Sequence, residues 1–375
     1  GTTKVINRDG TINNDTALRS VSTTDATATW YAHWTPNNYS IVYHPGTAKS
    51  GSASHAVTGS DKTVQVTFDD AFTIIANAGN GNTNYSQTGY TFNGWRASYN
   101  LGNGTQTALT NDNTSGGTAY SAGATGTYKV VGNVDLYAQW EANTYDVTYN
   151  KGAHSTSSNY THTDGITFDM KYTTLAQATT GITADAGYTF CGWSQSSSDT
   201  CTSNTLITAG SDMSAPWTTD GDLTLYAIYS ANGYTITYSC GTQPGSQTQS
   251  GTVPTTQNVT QDGTYTIAAN TCAYNGWHFT GWNCDYTLTE VNAVPLNGAT
   301  YQPDATGTFK AANNVTCTAQ WEANSITTTF VGNGGTVTGG GASCTYEGTI
   351  TLPSSVTRTG YTFDGWTVTN TPASN

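Results

Sequence analysis

Charged side chains are scarce in this chain of 375 residues: Asp, Glu, Lys and Arg together make up 9% of it, against about 25% in an ordinary globular domain. The charges present are lopsided, 24 acidic against 11 basic, for a net charge of −13. No basic footprint is available for a phosphate backbone, so nucleic acid is excluded as a partner class. No run of 18 apolar residues occurs, and no membrane insertion is expected of this segment. There is no initiator Met, signal peptide or anchoring motif, so the chain is expected to be a mature form or a fragment. Methionine occurs only twice, and the other strong helix formers are sparse. Polarity comes from Thr, Ser, Asn and Gly instead. Thr, Tyr and Val suit pleated strands while Gly and Asn suit tight turns, so the composition predicts a mostly β chain.

Catalytic patterns are missing as well. No GxSxG elbow, HExxH pair or phosphate-binding loop occurs, and no catalytic residue, cofactor or metal site is expected. The six His (His33, His44, His55, His154, His162 and His278) are scattered and read as surface residues. Asp69-Asp70 is the only adjacent acidic pair, too little for a calcium loop. Trp217 lies outside the aromatic signatures described next. It reads either as a sugar-stacking platform or as a side chain packed beneath a loop.

What the chain does have is an internal repeat. Three signatures recur in fixed order. The opening strand is YSIVY (39–43), YDVTY (145–149), YTITY (234–238) and the degenerate ITTTF (326–330). A central motif follows: GYTFNGW (89–95), GYTFCGW (187–193), NGWHFTGW (275–282) and GYTFDGW (360–366). A closing strand ends each unit: WYAHW (30–34), LYAQW (136–140), LYAIY (225–229) and CTAQW (317–321). Alternation at period two marks strands with one buried face. With little Leu or Ile, each core is expected to be small and aromatic, built on Trp34, Trp95, Trp140, Trp193, Tyr229, Trp282, Trp321 and Trp366.

Spacing within the repeats varies, with 52, 44, 44 and 36 residues from the opening aromatic to the motif Trp. The linkers do not vary: TPNN (35–38), EANT (141–144), SANG (230–233) and EANS (322–325) are each four residues long. Loops tolerate drift in length, so a constant join means that the angle between neighbours matters. The expected organisation is an elongated rod: residues 1–35 as the second half of a split repeat, repeats at 36–142, 143–230 and 231–323, and 324–375 as a first half.

The order YxVxY, GYTFxGW, LYAxW resembles the B-repeat of listerial internalins, the Listeria–Bacteroides repeat family, over nearly the whole chain. The resemblance implies tandem small β-grasp-like modules on secreted or surface-anchored bacterial proteins, serving as stalks, adhesive regions or spacers without catalysis. The present repeats are longer than usual and richer in Cys, so partner specificity does not carry over.

All seven Cys fall between residues 191 and 344, none in a CxxC pair. That suits disulfides in an oxidising compartment, hence a secreted or cell-surface location, better than zinc. Cys284 follows Trp282 by two residues and Cys317 takes the inward slot of Leu136, so these two are expected to pair. Cys240 with Cys272 would tie one loop of the same repeat, and Cys191 with Cys201 would clip the loop after GYTFCGW. Cys344 is left over, as a buried free thiol or as the partner of a residue or chain not present.

The first and last segments are complementary in phase. Half a module exposes strand edges and an unfilled core, so the expected partner of each end is another copy of the chain, head to tail. The expected function is a bacterial surface filament or stalk. The alternatives are a slice of a longer continuous adhesin stalk, or a carbohydrate- or protein-binding module facing host or neighbouring-cell surface molecules.

Overall fold

Tyr39, Ile41 and Tyr43 alternate with polar residues, and in the computed structural model this stretch is an interior strand of the first sheet. The structure describes residues 6–12, 31–79, 84–242, 245, 248–291 and 300–368. It forms two compact units. The first comprises Gly1–Thr148, Thr161–Thr173 and Asp212–Leu223, and the second Tyr149–Tyr160, Thr174–Ser211 and Thr224–Asn375. Nearly all regular structure is β; a four-residue helix, α1 (Gln177–Thr180), is the exception among the described residues.

In the first unit, repeat 1 contributes β1 (Asn38–His44), β2 (Lys62–Thr67), β3 (Tyr90–Ala97), β4 (Thr118–Tyr120) and β5 (Val134–Ala142). They form one sheet in the order β2-β1-β5-β3-β4. The opening and closing strands run parallel at its centre, with Tyr43 opposite Leu136. That is the strand order of a β-grasp sheet. Repeat 2 supplies β6 (Thr144–Asn150), β7 (Tyr160–Thr167), β8 (Tyr188–Ser194) and β9 (Leu223–Ala231). In the second unit, β8 pairs antiparallel with β9 and sets Trp193 opposite Ala227. Repeat 3 contributes β10 (Gly233–Ser239), β11 (Gln257–Thr260), β12 (Trp277–Cys284), β13 (Thr300–Tyr301) and β14 (Val315–Ala323), in the order β11-β10-β14-β12-β13. Repeats 1 and 3 thus share one topology.

The motif dictates its own bulge. In FxGW the two rings are three residues apart, which on a regular strand puts them on opposite faces. The register of β3 slips between Phe92 and Trp95, and the same slip occurs in β8 and β12. The extra residue returns the Trp to the core face. The glycine inside the bulge has φ of +94° at Gly94, +153° at Gly192 and +148° at Gly281, a region that side chains with a Cβ avoid. Trp95, Trp193 and Trp282 are consequently fully buried. Each meets the opening-strand Tyr edge-on, at 4.6–4.9 Å between centroids. Each indole N–H donates to a backbone carbonyl, of Ile75, Leu175 and Ala268 respectively. Aromatic burial with a satisfied polar handle is what lets so small a core hold.

The two outer segments depart from expectation. Trp34, expected in a core, is 85% exposed, and residues 31–37 form no strand. The closing strands β5, β9 and β14 each lie against a motif strand; residues 31–34 have no motif strand beside them among the described residues, and Ala32 and Trp34 are exposed. Trp30 and most of the segment 1–35 lie outside the described residues. After repeat 3 come β15 (Ser325–Thr327), β16 (Thr336–Gly339), β17 (Ser343–Thr345) and β18 (Pro353–Thr357), in two small antiparallel pairs, β15 with β17 and β16 with β18. There GYTFDGW forms no strand, since no closing strand faces it among the described residues. Trp366 is half-buried, edge-on to Phe330 and Phe363.

Candidate functional site at the repeat joints

The constant linkers form the most regular piece of chemistry in the molecule. At the join of repeats 1 and 2, in the first unit, the Asn143 N–H donates to the Gly89 carbonyl at 2.9 Å, and the Asn143 carbonyl accepts from the Phe168 N–H at 2.9 Å. At the join of repeats 2 and 3, in the second unit, Asn232 bridges the Gly187 carbonyl (2.8 Å) and the Gln261 N–H (2.9 Å) in the same way. After repeat 3, Asn324 bridges Gly276 and Tyr346, both at 2.8 Å. One linker asparagine therefore stitches the motif glycine of one repeat to a turn of the next, three times over. Its side chain is held too: Thr91 donates to Asn143 Oδ1 and Thr189 to Asn232 Oδ1, both at 2.6 Å.

The motif glycine is fixed twice over. Gly89, Gly187 and Gly276 have φ of +77°, +87° and +79°, as the third residue of a turn that enters the motif strand requires. A Cβ there would also lie 2.3 Å from Phe168, 2.3 Å from Gln261 and 2.4 Å from Tyr346 respectively. The next repeat seats its side chain directly on the glycine. Phe168, a residue of repeat 2, belongs to the buried core cluster of repeat 1 and meets Tyr90 edge-on at 5.6 Å. The join is a packed interface.

An acidic residue completes each joint. Asp169, Asp262 and Glu347 follow the seated residue, and all have positive φ. Tyr90 donates to Asp169 Oδ2 at 2.8 Å, and Tyr188 donates to Asp262. Burial first, then the carboxylate beside it, pushes the Tyr188 hydroxyl up to about 12 and raises Tyr90 as well. Asp169 is buried, and its Oδ2 also meets His55 Nε2 at 2.6 Å. The third joint is a poorer polar match. Trp277 stands where the others have Tyr, and its buried indole N–H has no acceptor among the described residues.

Histidines read as scattered surface residues gather here. His55 bonds Asp169, His154 stacks on Tyr188 at 3.8 Å, and His278 meets Asn324 Oδ1 at 3.0 Å. They occupy different positions within their repeats, so spacing could not reveal this. His44 lies between Asp61 and Asp135, His162 meets the Tyr172 hydroxyl, and His33 is exposed. Trp217 is half-buried; its indole donates to Gly221, and its carbonyl accepts from the Asp169 N–H that helps to set the acid.

The cysteines pair as Cys191–Cys201, Cys240–Cys272 and Cys284–Cys317. Cys284 and Cys317 sit opposite each other in the register of β12 and β14. Cys344, half-buried on β17, is free. Trp140, Tyr229 and Trp321 are half-buried over the motif Phe of their own repeats. Their polar tips donate to the backbone at Pro45, Lys151 and Cys240. Among the described residues no helix is long and apolar enough to cross a membrane.

Two proteins of Evansella cellulosilytica are similar to this chain and carry the provisional names Gly-rich membrane protein and membrane protein. The first is 28% identical over 78% of this chain and 28% of its own length. The second is 27% identical over 62% of this chain and 29% of its own length. The chain thus spans well under half of the curated relatives it matches. Residues 327–374 match the Listeria-Bacteroides repeat domain, and that stretch takes in β16, β17, β18 and the GYTFDGW motif; the chain therefore carries a repeat of the Listeria–Bacteroides family.

Proposed function

We propose that this chain is a structural part of the bacterial cell exterior, a subunit or segment of a surface filament or stalk whose working element is the joint between repeats. The observation that carries this reading is the threefold asparagine stitch, with the next repeat seated on the motif glycine. A four-residue linker whose asparagine is bonded through its N–H to one repeat and through its carbonyl to the next would transmit orientation, as a flexible tether does not. Three disulfides suit an oxidising exterior. No catalytic activity is proposed; the partners proposed are other copies of the chain, head to tail, through its two outer segments.

A second reading, a stretch of a longer continuous stalk, is favoured by the length of the relatives, of which the match covers 28% and 29%. The two differ in covalent continuity. Material released from intact cells by mild shear and boiled in denaturant should run as a single band near 39 kDa if the chain is a discrete subunit. A much larger band would replace that with the continuous stalk. Absence of the protein from the cell exterior would overturn both.

A further inference from the structure

Two faces in the described residues are unpaired halves of the joint. The receiving half is complete on repeat 1. The Asn37 carbonyl accepts from the Phe68 N–H at 2.9 Å, as Asn143 does from Phe168. Asp69 follows with φ +71°, matching Asp169 at +60°, and its N–H is held by the Tyr128 carbonyl. No neighbouring repeat covers this face among the described residues: the Asn37 N–H has no backbone partner there, Phe68 is half-buried where Phe168 is buried, and Asp69 is exposed; Lys129, of the same repeat, lies over the Phe68 ring at 5.8 Å and bonds Asp69. Together with exposed Trp34 and Val131 they line an open hollow.

The inserting half is Gly360-Tyr361-Thr362. Tyr361 N donates to Arg358 at 3.1 Å, the turn that Tyr90 makes with Gln87 and Tyr188 with Asp185. Gly360 has φ +83°, yet a Cβ there would meet nothing within 4 Å. Tyr361 is 68% exposed where Tyr90 is 6%.

We infer that these halves mate: the Asn37, Phe68, Asp69 face of one copy receives the Gly360-Tyr361-Thr362 turn of a second copy. This rests on the head-to-tail reading above and names its contacts. Two observations beyond the motif single out the pair. First, its six residue types reproduce the joint of repeats 1 and 2 (Gly89, Tyr90, Thr91 with Asn143, Phe168, Asp169), whereas the other internal joints substitute Gln261, or Trp277 and His278 with Tyr346 and Glu347. Second, the charges are complementary at this pair alone. Arg358 stands where the internal joints have Gln87, Asp185 and Tyr274, and the receiving turn carries a second acid, Asp70, in place of Met170, Gly263 and Gly348. By analogy with the internal joints, the Asn37 N–H donates to the Gly360 carbonyl, Phe68 covers Gly360, and the Tyr361 hydroxyl donates to Asp69.

The test is a mixing experiment on the full chain, followed by sedimentation velocity. Gly360→Val spoils the inserting half and leaves the receiving half whole; Phe68→Ala does the reverse. The wild-type chain should show a mass that climbs with concentration, and each variant alone should remain at the mass of one chain. An equimolar mixture of the two should give a species of twice that mass and nothing larger, which also shows that each variant is folded at its intact face. A wild-type chain that stays monomeric at every concentration overturns the head-to-tail reading and this inference with it. A wild-type chain that associates while the variants associate equally well, or while the mixture stays monomeric, keeps self-assembly and overturns this pairing.

Discussion

Tyr90 and Asp169 show at the residue scale what holds a joint. A hydroxyl donated to a buried carboxylate contributes roughly 1.5–3 kcal/mol, and among the described residues His55 is the one further side-chain partner at that Asp169 oxygen. Tyr90→Phe should therefore lower the unfolding free energy of the first unit by about 1.5–3 kcal/mol, measured by urea denaturation. A loss under 0.5 kcal/mol would show that the hydroxyl is not holding the acid. The tyrosines also set a pH limit. Tyr43, Tyr128 and Tyr188 are pushed up to about 12, by burial first and, at Tyr188, by Asp262. A folded-state pKa raised above the ordinary 10 gives a contribution that is whole below pH 10 and is lost as pH rises through the folded value. Stability should hold up to pH 10 and fall between about 10 and 12, with late-titrating tyrosines in the 295 nm absorbance. Tyrosines that all titrate near 10 in the folded chain would contradict this.

The strand signatures were legible at the scale of elements because each carries its physics in the letters. Period-two alternation marked β1, β6 and β10, and the closing signature marked β5, β9 and β14. The FxGW bulge was only half legible: glycine marked the place, but the need to turn the Trp inward appears once Phe92 and Trp95 are seen on one face. Gly94→Ala would place a Cβ 2.7 Å from the Tyr120 carbonyl at φ +94°; it should cost about 1–3 kcal/mol and lift β4 from β3, checked by exchange protection across residues 118–120. What the sequence hid was the joint. Asn143, Phe168 and Gly89 are far apart in sequence, and the residue seated on the glycine changes from Phe to Gln to Tyr. The histidines hid for the same reason, each reaching its joint from a different loop. The bridges bear unequally on the repeats. Repeat 1 has no Cys, while Cys240–Cys272 and Cys284–Cys317 close loops 32 and 33 residues apart in repeat 3, each contributing about 3–4 kcal/mol in the chain-entropy account. Reduction should open repeat 3 to protease and leave residues 36–142 resistant; cleavage that begins in repeat 1 would contradict that ranking.

For the whole molecule, the expectation of a fixed angle between neighbouring repeats rests on linker length, and the asparagine stitch is the contact proposed to hold it. The exposed Trp34 and the strandless GYTFDGW both follow from the same rule, that a closing strand and a motif strand form only against each other. The most direct measurement is amide hydrogen exchange in the full chain, read at Asn143, Asn232 and Asn324. If the joints are built as described, these linker amides exchange as slowly as those of the sheets they connect, because each is bonded to a motif glycine carbonyl. Exchange at the rate of an open loop at all three would mean that the repeats hang on flexible tethers, and that the joint is not what this chain is built around.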